Sequence, residues 1–293
     1  MKEAGDSSAS LFILLNCLFS KLKNDYCQLN SIMIHTILKD RAVKLFIILG
    51  GFFIANAMIA EFIGVKIFSL EDTLGIERLN IPLFGEKFSF HLTAGVLLWP
   101  VVFVMTDIIN EYYGSKGVRF LSLLAAGLIS YAFFMFSGAI QLSPSEYFSV
   151  GNGIADANAA YKGIFGQGLW IIIGSLTAFL IGQLLDVFVF HKIKKITGEK
   201  NIWLRSTGST LVSQLVDSFV VLFIAFYIGR RIQTGQGDAW TLKQILVTGT
   251  GNYIYKFVVA ILMTPVIYFV HAWIEKYLGH DTARKMKQAA MQE

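Results

Sequence analysis

Two segments of the chain place a glutamine three residues before an aspartate inside an apolar run. GQLLDVFVF contains Gln183 and Asp186, and SQLVDSFVV contains Gln214 and Asp217. A carboxylate can accept two parallel N–H bonds, while a glutamine amide offers both a donor and an acceptor. These groups suit a planar heterocycle that presents an amidine-like edge and a carbonyl. They suit a metal ion poorly, because nothing nearby supplies the remaining oxygen ligands, so we expect no metal site and no cofactor.

A third polar stretch, TDIINEYYG, closes another apolar run. Asp107 and Asn110 share one helix face there, and Glu111 follows close behind. Negative charge near a helix C-terminus is disfavoured by the helix dipole, so these carboxylates require a partner cation or a functional role. Lys116 or Arg119 could supply the cation.

Other polar residues lie in apolar runs with less distinctive neighbours. An ionisable side chain at membrane depth costs about 2.5 to 3.5 kcal/mol on insertion scales, so it usually faces a bundle interior and marks a site. For Lys256 two interpretations stay open, an ion pair with Glu61 across the bundle and a role as a gate or ligand. The candidate substrate-binding residues are Asp107, Asn110, Glu111, Gln183, Asp186, Gln214, Asp217, Asn56, Asn252 and Lys256.

The elements that must position these residues are membrane spans. Of the 293 residues, 55% are hydrophobic and only 15% are charged, which is not the balance of a soluble domain. Six apolar segments are long enough to cross roughly 30 Å of hydrocarbon at about 1.5 Å per residue. The sequence therefore predicts an all-α, polytopic membrane protein with six transmembrane helices in one bundle. The predicted spans are residues 44–66, 92–110, 118–140, 168–190, 209–229 and 245–271.

The distribution of lysine and arginine predicts the orientation of these spans. Basic residues concentrate before the first span, after the second, fourth and sixth, and in the C-terminal tail. By the positive-inside rule this side is cytoplasmic, and so are both termini. Arg230 and Arg231 lie on the opposite side, where they snorkel to the interface or face a pore. The membrane topology thus accounts for the formal charge of +5. The basic residues do not form one face interleaved with aromatic residues, so we expect no direct binding of nucleic acid.

The fourth and fifth spans are predicted to be antiparallel neighbours, because a short basic link joins them. Gly174, Ala178 and Gly182 form a small-residue stripe that lets another helix approach closely. We expect Asp186 and Asp217 to lie in the cytoplasmic half of the bundle, where they could converge on one cavity. Each aspartate could instead be a structural clamp that hydrogen-bonds a neighbouring helix.

The chain divides into a tail at residues 1–40, a transmembrane domain at residues 41–275 and a basic cytoplasmic tail at residues 276–293. The apolar stretch LFILLNCLF in the first tail is too short to span a membrane, and we assign it no function. Cys17 and Cys27 are expected to stay reduced on the cytoplasmic side. No nucleotide-binding or hydrolase motif occurs, and the loops are too short for a catalytic domain, so we expect no enzyme.

TDIINEYYG, followed by QLLD and QLVDSF, resembles the queuosine precursor transporter family, also called the vitamin uptake transporter family. The resemblance covers roughly residues 40 to 275. It implies a multi-pass inner-membrane protein that imports 7-cyano-7-deazaguanine, 7-aminomethyl-7-deazaguanine or queuine, for salvage into the tRNA nucleoside queuosine. It also implies an architecture similar to the substrate-binding subunits of energy-coupling-factor transporters. The partners implied are a small 7-deazapurine and the lipid bilayer.

The polar residues fit such a ligand independently of the resemblance. A deazaguanine presents N1–H and an exocyclic amine that one carboxylate can accept together, and a Gln or Asn remains for O6. Two alternatives stay open: uptake of another vitamin-like or nucleobase-like planar molecule and, less favoured, an integral-membrane enzyme. The five histidines lie in tails, loops or span ends without metal-ligand spacing, which disfavours the enzyme. Energy coupling and oligomeric state are open at this point.

Overall fold

The computed structural model describes residues 39–148, 154–166, 168–198, 201–234 and 239–291. The stretch LFILLNCLF and both cysteines lie outside these residues. A 3-10 turn (Ala94–Leu97) lies directly before the helix that starts at Trp99, and a π-helix (Phe223–Gly229) continues the helix that ends at Leu222. The helices are α1 (Arg41–Ile63), α2 (Leu70–Leu74), α3 (Trp99–Gln141), α4 (Ala157–Phe165), α5 (Leu169–Thr197), α6 (Ile202–Leu222), α7 (Arg230–Thr234), α8 (Leu242–Leu278) and α9 (His280–Met291). The strands are β1 (Ile67–Ser69), β2 (Ile81–Leu83), β3 (Glu86–Phe88) and β4 (His91–Thr93).

Of the described residues, 39–48 belong to one unit, and those from Leu49 onward belong to a second. The described part of the first unit is the start of α1. There the carboxylate of Asp40 accepts the backbone N–H of Ala42 at 2.7 Å and caps the first turn. The polar core of the protein lies in the second unit.

Helices that can span a membrane dominate the described chain. The protein is therefore an all-α, polytopic membrane protein, as the sequence predicts. Trp99–Gln141 covers both the second and the third predicted spans, and its helix breaks at Gly114. The five stretches that are long and apolar enough to cross are Arg41–Ile63, Trp99–Gln141, Ala157–Thr197, Ile202–Ile232 and Leu242–Leu278.

The break at Gly114 shows why a glycine ends this helix. Its φ of 71° and ψ of −176° are non-helical, and a positive φ is strained for a residue with a Cβ but not for glycine. The helix resumes at once, so the predicted link 111–117 is helical on both sides of Gly114. The start of the predicted second span is corrected too. Residues 92–98 contain the end of β4 and the 3-10 turn, and the helix begins at Trp99 with Pro100 in its first turn.

A small β region between α1 and α3 accompanies the helices. β1 pairs with β4 and β2 with β3, both antiparallel. Glu71 fastens this region, because its buried carboxylate accepts the backbone N–H of Phe90 at 2.9 Å. Burial opposes ionisation of this carboxylate, but the N–H of Phe90 and the hydroxyl of Ser69 donate to it and lower the pKa of Glu71. Phe88 packs over Gly251 of α8, where an added Cβ would lie 1.8 Å from the ring.

The predicted small-residue stripe is the surface of α5 that packs on α6. A Cβ added to Gly174 would lie 3.1 Å from the carbonyl oxygen of Val221, and Ala178 is buried. A Cβ added to Gly182 would lie 3.7 Å from the Cβ of Asp217. Residue numbers rise on one helix as they fall on the other, so the predicted antiparallel packing is confirmed. The stripe therefore serves packing within the chain.

The segment predicted as a basic tail contains helix α9, which packs against α3. Ala283 and Ala290 are buried. Lys287 forms an ion pair with Glu275 of α8 and lies 5.4 Å from the centre of the Tyr112 ring. These contacts hold the C-terminal helix against the membrane helices.

Candidate functional site

A cavity lies among α3, α6 and α8. It holds about 490 Å³ of space that no atom fills, counting its open mouth. The aromatic residues in its lining are Trp99, Phe103 and Tyr255. The polar residues in its lining are Asp107, Ser206, Thr207, Thr210, Gln214 and Lys256.

Asp107 contributes a hydrogen-bond acceptor to this lining, and Gln214 contributes a hydrogen-bond donor. Asp107 is 2% exposed, and its Oδ2 accepts a hydrogen bond from the hydroxyl of Ser206. Within the described part of the chain, neither Asp107 Oδ1 nor Gln214 Nε2 has a hydrogen-bond partner. Leaving a buried polar atom unpaired costs about 1 to 3 kcal/mol. A ligand that donates to the carboxylate and accepts from the amide would remove this cost.

Lys256 of α8 lines the same cavity and forms an ion pair with Asp217 of α6. The sequence offered Glu61 as the partner of Lys256, but the structure gives it Asp217, because α6 and α8 pack against each other. Glu61 accepts a hydrogen bond from the hydroxyl of Ser175 on α5. Asp217 is not among the residues that line the cavity in the described chain, so it acts there by holding Lys256.

Asp186 is fully buried behind Asp107. Its Oδ1 accepts the hydroxyl of Ser213 at 3.2 Å, and its carboxyl group lies within hydrogen-bonding reach of Asp107. The antiparallel register sets Ser213 beside Asp186 and sets Asp217 beside Gly182. The structure therefore separates the two aspartates that the sequence expected to converge on one cavity.

Two hydrogen bonds between α3 and α5 hold Asp107 and Asp186 in place. Thr106 donates to Gln183 Oε1 at 3.0 Å on one side of the pair. On the other side, Asn110 Oδ1 lies 2.8 Å from His191 Nε2. Gln183 and Asn110 thus position the helices that carry the two carboxyl groups.

Glu111 is the centre of a buried ion cluster beyond the cavity. Its carboxylate oxygens lie 3.1 Å from Lys194 Nζ of α5 and 2.7 Å from Arg205 Nη2 of α6. All three side chains are at most 1% exposed. Lys194 and Arg205 supply the positive charge for which the sequence offered Lys116 or Arg119. Glu111 therefore ties three helices together.

Two predicted residues, Asn56 and Asn252, are not among the lining residues that the structure describes. Asn56 donates to the carbonyl oxygen of Phe52 in its own helix at 2.8 Å, and Asn252 is half-buried on α8. The predicted residues that line the cavity are Asp107, Gln214 and Lys256.

The sequence analysis overlooked part of the lining. Ser206 and Thr210 precede the predicted Gln214 at four-residue intervals on α6 and so share its face, a spacing that could have identified them. Trp99, the first residue of α3, also lines the cavity. Tyr255 carries no signal in the sequence, because only the packing of α8 brings it to the site.

The part of the chain that forms the cavity matches a known protein family. Residues 93–270 match the family described as "Putative vitamin uptake transporter". The matched range contains all residues named here in the cavity lining, from Trp99 to Lys256. It also contains the Glu111 cluster.

Several curated proteins are similar to this chain. A "Probable queuosine precursor transporter" of Bacillus subtilis (strain 168) is 30% identical over 185 residues, covering 62% of this chain and 73% of that protein. One of the same description from Haemophilus influenzae (strain ATCC 51907 / DSM 11121 / KW20 / Rd) is 27% identical, covering 61% and 68%. A "Queuosine precursor transporter" of Escherichia coli (strain K12) is 27% identical, covering 62% and 73%. No solved structure matches the chain.

Proposed function

The chain belongs to the vitamin uptake transporter family, and we propose that it imports queuosine precursors for tRNA queuosine salvage. The observation that carries this proposal is the cavity in which Asp107 Oδ1 and Gln214 Nε2, beside aromatic side chains, have no hydrogen-bond partner among the described residues. The names of the three relatives support the same substrate class. The substrates we propose are 7-cyano-7-deazaguanine, 7-aminomethyl-7-deazaguanine and queuine.

The edge of a 7-deazaguanine complements these two residues. Its N1–H and exocyclic amine donate to the Asp107 carboxylate, and its carbonyl O6 accepts from the Gln214 amide. Trp99 and Phe103 offer faces on which a flat base can stack, a contact worth about 1 to 3 kcal/mol per base in nucleic-acid systems. Lys256 completes the polar lining. Gln183, Asn110 and Asp186 support Asp107 from behind, and Asp217 holds Lys256.

We further propose six crossings in a bacterial inner membrane. Trp99–Gln141 is 43 residues long and breaks at Gly114. Together with the preceding 3-10 turn, which starts at Ala94, the part before the break is about as long as one crossing needs, and the part after it is long enough for a second. The basic links then lie on one side, which makes both termini cytoplasmic. The proposed architecture resembles the substrate-binding subunits of energy-coupling-factor transporters.

Salvage in a living cell tests the function. A bacterium that can neither synthesise nor import 7-deazaguanines is complemented with this chain and fed each precursor, and the queuosine content of its tRNA is measured. We expect queuosine with the wild-type chain. Asp107→Asn should lower uptake at least about tenfold, because an amide cannot accept two N–H bonds as a carboxylate does.

Asp156→Asn is the matched control. Asp156 caps α4 through its side chain and is exposed, and asparagine caps a helix equally well. Wild-type queuosine with this variant and loss with Asp107→Asn would support the proposed site. If the wild-type protein reaches the membrane but no precursor yields queuosine, the substrate is another vitamin-like or nucleobase-like planar molecule. Chemical change of a fed precursor outside the cell would instead indicate a membrane enzyme.

A further inference from the structure

Asp107 and Asp186 form a buried carboxyl pair in the core of the protein. They are 2% and 0% exposed, come from different helices and lie within hydrogen-bonding reach of each other. Two carboxylates this close repel each other strongly in a medium of low dielectric constant, and such pairs share one proton. The pair touches the cavity through Asp107 alone, because Asp186 is not among the lining residues in the described chain.

The hydrogen bonds around the pair leave room for this proton. The hydroxyl of Ser206 donates to Asp107 Oδ2, and that of Ser213 donates to Asp186 Oδ1. Among the described residues, neither Asp107 Oδ1 nor Asp186 Oδ2 has a hydrogen-bond partner of suitable distance and angle, although the hydroxyls of Ser209 and Thr210 also lie near the carboxyl group of Asp186. One proton shared by the two carboxyl groups supplies a missing donor and removes the repulsion between them.

The charged groups near the pair are already engaged. On α6, Arg205 is held by Glu111, which also belongs to the surroundings of Asp107. On α8, Lys256 is held by Asp217. On α5, Lys194 also pairs with Glu111, and the titratable ring of His191 binds Asn110. The groups that face Asp186 from α6 are the hydroxyls of Ser209, Thr210 and Ser213.

We propose that Asp107 and Asp186 share one proton and that substrate binds with this proton resident on Asp186. The inference rests on the proposed function and adds a proton to the bound complex. N–H groups of the substrate require the ionised carboxylate of Asp107, so its arrival moves the shared proton to Asp186. Asp186 is thus a positioning residue that acts on substrate through Asp107.

The proton makes substrate affinity depend on pH in a defined way. At low pH both carboxyl groups are protonated, Asp107 no longer accepts, and affinity falls. At high pH the shared proton is lost. Because the N–H groups of the substrate favour the ionised carboxylate of Asp107, the complex holds this proton less tightly than the free pair does, and affinity rises by up to about tenfold per pH unit in that range, as expected for one proton. Asp186→Asn keeps a neutral side chain of the same shape at any pH. It has no shared proton to lose, so it should retain the acidic decline and lack the alkaline rise.

The test is calorimetric titration of the purified full-length protein with 7-cyano-7-deazaguanine from acidic to alkaline pH. We expect the affinity of the wild type and of Asp156→Asn to rise relative to that of Asp186→Asn as the pH increases through the alkaline range, and we expect at least about tenfold weaker binding by Asp107→Asn. Parallel alkaline profiles of the wild type and Asp186→Asn overturn the inference and leave the proposed function standing. Absence of wild-type binding at every pH would remove both.

A second measurement needs no variant at the pair. In weakly buffered, mildly alkaline solution, a pH indicator should report release of up to one proton by the wild-type protein for each ligand bound. Binding without proton release overturns the inference even where Asp186→Asn fails to fold.

Discussion

Lys256 of α8 and Asp217 of α6 form an ion pair in which each side chain is only 18% exposed. Lys256 lines the cavity, and Asp217 stands outside the lining. The Asp217 carboxylate thus holds the charged end of Lys256 at the cavity without being part of the lining. The pair also joins two of the three helices that form the cavity.

Asp217→Asn should lower the free energy of unfolding by about 1 to 3 kcal/mol, because it leaves a largely buried cation unpaired. The double variant Asp217→Asn with Lys256→Met should lose less, because no charge is left without a partner. Thermal unfolding in detergent is measured for Asp217→Asn, for Lys256→Met and for the double variant. A double variant whose loss of stability equals the sum of the losses in the two single variants would contradict the ion pair.

Glu111→Gln should be more destabilising, by about 3 to 5 kcal/mol, because it leaves the buried Lys194 and Arg205 without a counter-charge. Thermal unfolding in detergent measures the loss. The matched control is Asp72→Asn, which breaks the exposed ion pair with Arg78 and should change stability little. Equal effects of the two variants would show that the Glu111 cluster contributes no more than a surface pair.

Gly114→Ala should destabilise the protein by about 1 to 2 kcal/mol, because alanine is strained at a φ of 71°. Gly127→Ala, on the same helix with open space around its Cα, should instead stabilise it by up to about 1 kcal/mol. Opposite shifts of the unfolding temperature are the expected result. A stabilising Gly114→Ala would mean that α3 is continuous.

Trp99→Leu should weaken binding of 7-cyano-7-deazaguanine about tenfold or more, because the loss of one stacking face costs about 1 to 3 kcal/mol. Calorimetric titration measures the dissociation constant. Trp203→Leu, at an exposed position of α6, serves as the control and should leave binding unchanged. Equal affinities of the two variants would remove Trp99 from the binding site.

The β region should loosen in acid because of Glu71. Its pKa is lowered in the folded state, so its contribution to stability is present above the unfolded-state pKa and is lost as pH falls through the folded-state value. Hydrogen exchange of the Phe90 amide, corrected for the intrinsic effect of pH, should therefore accelerate in acid. Glu71→Gln should remove this acid dependence, whereas Glu146→Gln, at an exposed site, should preserve it.

Features that depend on residues close together in the chain could be predicted from the sequence. Apolar length predicted the membrane helices, and the small-residue stripe predicted the packing of α5 on α6. Each depends on residues close together in sequence, whose chemistry acts within one helix or one helix face. For the same reason Asp107 and Gln214 could be chosen as buried polar residues before their partners were known.

The tertiary structure alone decided which polar residues meet. Asp217 faces Lys256 and not Asp186, and Glu111 faces Lys194 and Arg205, because the rotation and register of α5, α6 and α8 select the partners. A sequence places a polar residue on a helix face but leaves open which neighbouring helix that face meets. The burial that makes such a group costly to leave unpaired is settled only when the helices pack, so the cavity and its pair of aspartates belong to the fold.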